Sequence, residues 1–250
     1  MREVDDAKPI EGQIAIRVVS AGINFSDLGT IAGTYPGPRV PFVPGIEVAG
    51  HEISTGRPVV ALVESGGYGE IALADERLVL SAEGLDLTEA GGYPLALLAA
   101  YFGLVRAARL ERGETVLVLA AGGALGSTAV QVARALGAAR VVAVASSEEK
   151  RQVALDLGAD DAVPYSDALP PADVVVDGVG GEAFLQGYRA ARRFGRVLTL
   201  GASAGAPPAL PSFQELRERS VAIVPFSFKA LRGAEPAYVA EAAPAALDLV

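Results

Sequence analysis

One stretch restricts the fold of this chain more than any other. The apolar run TVLVLAA (115–121) passes directly into Gly122-Gly123-Ala124-Leu125-Gly126, and a helix-forming sequence, LGSTAVQVARALGA (125–138), follows it. An apolar run without alternation must be covered on both faces, which means a strand inside a parallel sheet flanked by helices. A glycine turn between such a strand and a helix lets backbone come close to a bound phosphate. The helix then offers unpaired N–H groups and the positive end of its dipole to that phosphate. Ala121, Gly122, Gly123, Ala124, Leu125 and Gly126 are therefore the expected pyrophosphate-binding residues. Gly123 gives backbone approach and Gly126 gives close helix–strand packing. Ala121 stands where G-x-G-x-x-G has its first glycine, so the motif rests on its strand–turn–helix setting. The competing reading is a glycine turn that serves packing alone.

The rest of the chain falls into two textures. Through about residue 92, short apolar runs such as 14–23, 43–53, 57–63 and 68–80 alternate with Gly and Pro, which predicts a small β domain. The proline-rich stretch 33–45 reads as a loop. A buried helix is expected from about Thr88. Strands at 140–146, 172–179, 195–202 and 220–228 then alternate with helices at 147–158 and 181–193. The expected fold is α/β: a small β domain over 1–92, then a doubly wound parallel sheet over 93–250. A last helix over 234–250 is expected to be interrupted by Pro244.

Composition narrows the function classes. The 250 residues carry a net charge of −9, which repels phosphate backbones and argues against nucleic acid as a partner. No apolar run approaches the ~18 residues that span a bilayer. The charged N-terminal segment lacks a signal peptide's apolar core, so the expected location is cytoplasmic. With no cysteine and one histidine, thiolate metal sites and disulfides are excluded. The scarcity of oxidisable residues fits a heat-adapted source and equally fits GC-rich coding.

The end of the second Rossmann-type strand bears on the cofactor. NAD sites usually carry an acidic residue there for the ribose hydroxyl. This chain has Ala145-Ser146-Ser147, with Lys150 and Arg151 a turn later. Hydroxyls and cations suit a 2′-phosphate, hence NADPH. Glu148 and Glu149 leave NADH open as the weaker candidate, and the competing reading of Lys150 is a solvated helix cation.

Seven segments, AGINFSDLGTIAGTYP (21–36), VPGIEVAG (43–50), GGYGEIALAD (66–75), 120–138, 145–165, VVDGVGG (175–181) and GRVLTLGASAG (195–205), carry a resemblance. Together they resemble the medium-chain dehydrogenase/reductase superfamily, in its zinc-free branch of zeta-crystallin-like quinone oxidoreductases. The resemblance implies a GroES-like substrate domain before a Rossmann domain. It also implies that the family's first strand and its C-terminal return strands fall outside residues 1–250. Where zinc-using relatives have metal ligands, this chain has Asn24, Ile46-Glu47 and, near the third, Pro94. The resemblance thus implies no zinc. His51-Glu52 spells part of a metal motif, but neighbours on a strand face opposite ways.

Carried over residue by residue, the resemblance places Asn24 near nicotinamide and substrate, and Tyr35 and Phe42 at the substrate mouth. Lys150 and Tyr165 would meet the 2′-phosphate. Gly180, Gly201 and Ala202 would pass under the nicotinamide half, and Phe226 would close the cleft. Tyr35 and Phe42 could instead be ordinary loop packing, and Asp27 a helix cap. Ala99 replaces a common threonine, which removes one expected cofactor hydrogen bond. The reading that follows is zinc-independent hydride transfer from NADPH to a quinone. An enal or enone acceptor and a non-catalytic NADPH-binding protein are the alternatives. The last Rossmann strand is expected to pair with its copy in a homodimer.

Overall fold

The computed structural model describes residues 8–35, 37–205 and 210–249. Pro36 of the proline-rich loop, the charged start of the chain and Val250 of the expected last helix lie outside them. Two compact units emerge, one running through Leu95 and taking in 231–245, the other comprising Ala96–Ala230 with the last residues. The segment 231–245, expected within the Rossmann domain, groups with the first unit.

The first unit contains β1 (Gln13–Ala21), α1 (Phe25–Ile31), β2 (Glu47–Glu52), β3 (Pro58–Leu62), β4 (Ile71–Asp75), β5 (Val79–Ser81) and α2 (Leu87–Ala90). Its five strands form an antiparallel sheet in the order β4-β1-β2-β3-β5. Alternation puts Ile16, Val48, Val59, Ala61, Ala72 and Ala74 into one core. The same alternation separates His51 from Glu52. The His51 ring is exposed, 3.2 Å from the Gly56 carbonyl oxygen. Glu52 is buried and accepts hydrogen bonds from Ser54 and Arg57, which pull its carboxyl down to about 2.

The expected long helix after Thr88 is broken into α2 and α3 (Pro94–Phe102), and α3 ends in a wide turn over Gly103–Ala107. Two glycines and a proline between residues 91 and 94 account for the break. The second unit follows with β6 (Thr115–Leu119), α4 (Ala124–Ala135), β7 (Arg140–Val144), α5 (Glu148–Asp156), β8 (Asp161–Val163) and β9 (Ala172–Asp177). It continues through α6 (Gly181–Ala190), β10 (Ala191–Thr199), α7 (Phe213–Arg219) and β11 (Ala222–Pro225). The parallel sheet has the order β11-β10-β9-β6-β7-β8. Counted in chain order this is 3-2-1-4-5-6, the doubly wound arrangement with its switch point between β6 and β9. Leu117, Val142, Val175 and Val197, none with accessible surface, are the core its apolar strands predicted.

Arg196 of β10 holds the start of this unit together. Its guanidinium donates to both Glu114 carboxylate oxygens at 2.7 Å and to the carbonyls of Ala108 and Arg109. Two further helices close the chain, α8 (Phe228–Ala234) and α9 (Pro236–Leu247). Contrary to expectation, α9 runs through Pro244. Proline removes one backbone donor near the end of this helix, and the buried alanines at 243 and 246 keep the last turn packed.

One residue works against the sheet. Phe194 has φ +65 and is 82% exposed, a conformation that an aromatic L-residue adopts at a cost and without compensating burial. Asparagine tolerates this region. Phe194→Asn should therefore raise stability by up to about 1 kcal/mol, read as roughly 2–4 °C in thermal unfolding for a chain of this size.

Candidate functional site

The carboxyl ends of parallel strands share one edge of the second unit, and the candidate phosphate site is built there. After β6 the chain turns at Ala120, which takes φ +52. The left-handed residue is thus Ala120, one place before the first-glycine position that Ala121 occupies. Ala121 is buried, and its N–H donates to the Val144 carbonyl of β7. A Cβ on Gly126 would run into the Ala120 carbonyl, so glycine is required where α4 packs on the strand. Gly123 caps α4 in an extended conformation, and a Cβ there would make only an ordinary contact, 3.4 Å from the Ala120 oxygen. Packing within the chain does not demand glycine at 123. The open space suits an external group approaching the α4 N-terminus.

Two side chains from other elements reach this turn. Lys150 of α5 lies against Gly122, where an added Cβ would fall 2.5 Å from the Lys150 Cβ. Ser146 and Lys150 are both exposed, and Ser147 caps α5 by accepting from the Lys150 N–H at 3.3 Å. Arg151, by contrast, pairs with Glu148 and donates to the Ala145 carbonyl. Tyr165, just past β8, accepts the Ala120 N–H at 2.8 Å. Its phenol therefore braces the turn itself, and burial pushes its pKa upward.

Further along the edge, Asp177 ends β9 with no accessible surface. Its carboxylate accepts from the N–H groups of Val179 (2.9 Å) and Gly180 (3.1 Å), and burial pushes its pKa up. Gly180 has φ +76. Gly201 approaches Gly178, where an added Cβ would sit 3.2 Å from the Gly178 oxygen, and Ser203 and Ala204 donate to the Gly178 and Val179 carbonyls. Gly180, Gly201, Ala202 and Phe226 all lie at the carboxyl ends of β9, β10 and β11. Phe226, half-buried, donates its N–H to Thr199. Sequence reasoning missed Asp177, although a carboxylate directly after the apolar run Val174–Val176 was a usable signal.

The first unit holds a second group of polar residues around α1. Asn24 precedes the helix, and Asp27 accepts its backbone N–H at 2.9 Å, one half of a capping box. The Asn24 side-chain N–H donates to Glu47 Oε1 at 2.7 Å, and Glu47 Oε2 accepts from the Leu95 N–H at 2.8 Å. Glu47 is 1% exposed and lies flat against Gly22, where any side chain would collide with it. Tyr68 donates to Asp27 at 2.8 Å. Arg232 is buried as well. It donates to the Val63 carbonyl at 3.3 Å and stands 3.9 Å from Glu64, and its charge lowers the Glu47 pKa. Tyr35 packs on Gly29 of α1 and is 40% exposed; Phe42 is half-buried. The positions that resemblance linked to metal ligands are Asn24, Ile46-Glu47 and Pro94. Among the described residues, no group of three His, Cys, Asp or Glu side chains is arranged to hold a metal ion, and no helix is long and apolar enough to cross a membrane.

A doubly wound sheet with a glycine turn, a lysine resting on that turn and a separate antiparallel β unit define a medium-chain dehydrogenase/reductase. Residues 10–67 match the family model of the alcohol dehydrogenase GroES-like domain, and residues 124–243 match that of zinc-binding dehydrogenases. The chain belongs to the quinone oxidoreductase branch of this superfamily. The quinone oxidoreductase of Thermus thermophilus, solved also in complex with NADPH, is 35% identical with a TM-score of 0.84 over 99% of this chain and 81% of its own. The quinone oxidoreductase of Pseudomonas syringae is 25% identical, with a TM-score of 0.88 over 99% and 82%. Quinone oxidoreductase-like protein 2 of Bos taurus is 33% identical over 80% of this chain and 64% of that protein. The chain thus spans just under two thirds of the length of the curated relatives it matches first.

Burial is the main cause that lifts the Glu47 carboxyl above the ordinary carboxylate range, against the lowering bonds from Leu95 and Asn24. The folded chain then holds this proton more tightly than the unfolded one. Stability from Glu47 is greatest below the ordinary carboxylate pKa and declines as pH rises through the raised value. Glu47→Gln should remove that decline. Thermal unfolding followed against pH should show a flatter profile for the variant than for the parent, and a variant profile as steep as the parent's would count against the raised Glu47 carboxyl.

Proposed function

We propose that this chain binds NADPH and catalyses zinc-independent hydride transfer to a quinone or an α,β-unsaturated carbonyl. The observation that carries the reading is the Lys150 stem resting on Gly122, together with Ser146 at the strand end where an NAD site would hold an acidic residue. Ala121–Gly126 and the α4 N-terminus would hold the pyrophosphate. Lys150 and Ser146 would take the 2′-phosphate, with Tyr165 keeping Ala120 in place. Gly180, Gly201 and Ala202 would leave room beneath the nicotinamide half, and Phe226 would flank it. When bound, the reduced nicotinamide supplies a hydride. Asn24 keeps one amide N–H for a substrate oxygen after giving the other to Glu47. Tyr35 would line the substrate mouth, and solvent would deliver the proton.

The zinc-free reading is supported by a sequence without cysteine and by the engagement of both Glu47 oxygens. Polarisation of the substrate then falls to hydrogen bonds. A charge-assisted contact contributes roughly 1.5–3 kcal/mol, so Lys150→Ala should weaken NADPH about tenfold or more and leave NADH nearly unchanged. Titration of both cofactors checks this, and equal loss for both would count against the assignment. NADPH oxidation should proceed with a quinone or an enone, should stop when both are withheld, and should survive a chelator. Binding without turnover on any acceptor would leave an NADPH-binding protein that is not an enzyme.

We further propose a cytoplasmic homodimer through β11. The strand is shorter than the 220–228 expected, and among the described residues it pairs on one side only, with β10. Ala222 and Val224 sit in it without a charged residue between them. Lysine at either position would meet its symmetry mate, so Ala222→Lys should sediment as a monomer or precipitate. A parent chain that is monomeric and soluble at micromolar concentration would overturn the dimer.

A further inference from the structure

Tyr68 has no part in the roles assigned above, yet the fold places it beside Asn24. The turn Gly66–Gly69 is sewn to the loop before β2: Gly66 N–H to the Val43 carbonyl at 2.7 Å, Tyr68 N–H to Pro44 at 2.9 Å, and Gly67 N–H to Gly45 at 3.1 Å. The Tyr68 ring lies on the bare backbone of Gly45, where a Cβ would fall 2.7 Å from the ring. Its hydroxyl is 2.8 Å from Asp27 Oδ2, and that same oxygen accepts the Asn24 backbone N–H at 2.9 Å. Asp27 is 3% exposed, whereas Tyr68 is 40% exposed. One buried carboxylate oxygen therefore fixes both residues side by side, and Tyr68 keeps an open face.

The hydrogen-bond inventory decides what that face can do. A phenol has one proton and two lone pairs. The nearby groups that could take the proton are the Asp27 carboxylate and, at 3.4 Å, the Gly22 carbonyl, and neither can donate in return. The proton is therefore committed to Asp27. A phenol that donates to a carboxylate becomes a better acceptor through polarisation. Burial, Asp27 and Glu47 all push the Tyr68 pKa upward, so the phenol stays protonated and does not act as an acid.

We propose that Tyr68 is a specificity-determining residue of the substrate half-site, its phenol oxygen accepting a hydrogen bond from a hydroxyl on the ligand's ring. The inference rests on the quinone reductase reading, because a quinone and its quinol differ in just this respect. A quinone carbonyl only accepts and meets the Tyr68 lone pairs without a bond. A quinol hydroxyl donates to them. The same preference extends to ring-hydroxylated acceptors over bare ones.

The test uses the whole chain with 1,4-hydroquinone and its dimethyl ether, 1,4-dimethoxybenzene, each titrated by calorimetry and, where turnover occurs, as a competitive inhibitor against benzoquinone. The parent should bind hydroquinone about three- to tenfold more tightly than the ether, the range of one neutral hydrogen bond. Tyr68→Phe keeps the ring on Gly45 and removes the oxygen. It should erase that preference while leaving the affinities for the ether and for NADPH within about twofold. Equal affinities in the parent, or a preference that survives Tyr68→Phe, would overturn the proposal. The parent comparison stands without the variant if Tyr68→Phe fails to fold. A hydroquinone preference in a chain that never oxidises NADPH would sink the reductase reading and leave the role of Tyr68 intact.

Discussion

The approach of α4 to the Ala120 carbonyl is the contact on which the second unit depends. No side chain fits at Gly126, so the helix starts tight against the end of β6. That places its free N–H groups at the edge where β7 and β8 also end. Lys150 reaches the turn from the helix after β7, and Tyr165 reaches it from the segment after β8. Three parallel strands deliver three parts of one candidate site because parallel pairing puts all their carboxyl ends on one side. A looser helix start would separate the dipole from the lysine that stands beside it.

The first unit uses a different device. Asp27 and Glu47 are buried carboxylates, and burying an ionised group is costly unless it is hydrogen-bonded. Both are satisfied by donors from the same short loop and its neighbours: the backbone and side chain of Asn24, the Tyr68 hydroxyl and the Leu95 N–H. The carboxylates set the orientation of the polar groups around α1. They do so from inside, where solvent screening is weak.

Much of this was legible before any coordinates. The unbroken apolar run at 115–121, and the Val174–Val176 centre of 172–179, read as covered parallel strands, and β6 and β9 form there. Alternation around His51-Glu52 placed the two on opposite faces. Short or mixed segments were not legible. The three-residue β8 carries too little pattern, and α7 offers only Phe213 and Leu216 as apolar residues, too short a stripe to mark a helix. Pro244 misled because proline's cost is local, whereas the burial that holds α9 around it is tertiary. On the site side, glycine spacing and the missing acidic residue after Val144 pointed to the turn and to Lys150. The resemblance placed Tyr165 at the 2′-phosphate, whereas its bond to the Ala120 N–H depends on a sheet order that spacing does not reveal. Tyr68, Asp177 and the clamp of Glu47 on Asn24 each depend on a long-range contact.

The Tyr165–Ala120 bond has a consequence for motion. β8 is the outermost strand of its sheet and three residues long, the kind of element that opens locally well before the whole domain does. When it opens, Tyr165 leaves, and Ala120 loses the partner of its N–H while still held in a left-handed conformation that alanine disfavours. The turn can then relax. The shape of the glycine loop is thus tied to the fraying of the strand beside Tyr165, a residue forty-five positions away in sequence. Ordering that strand becomes part of the entropy of filling the loop, and amide exchange at Ala120 is the observable in which this linkage shows.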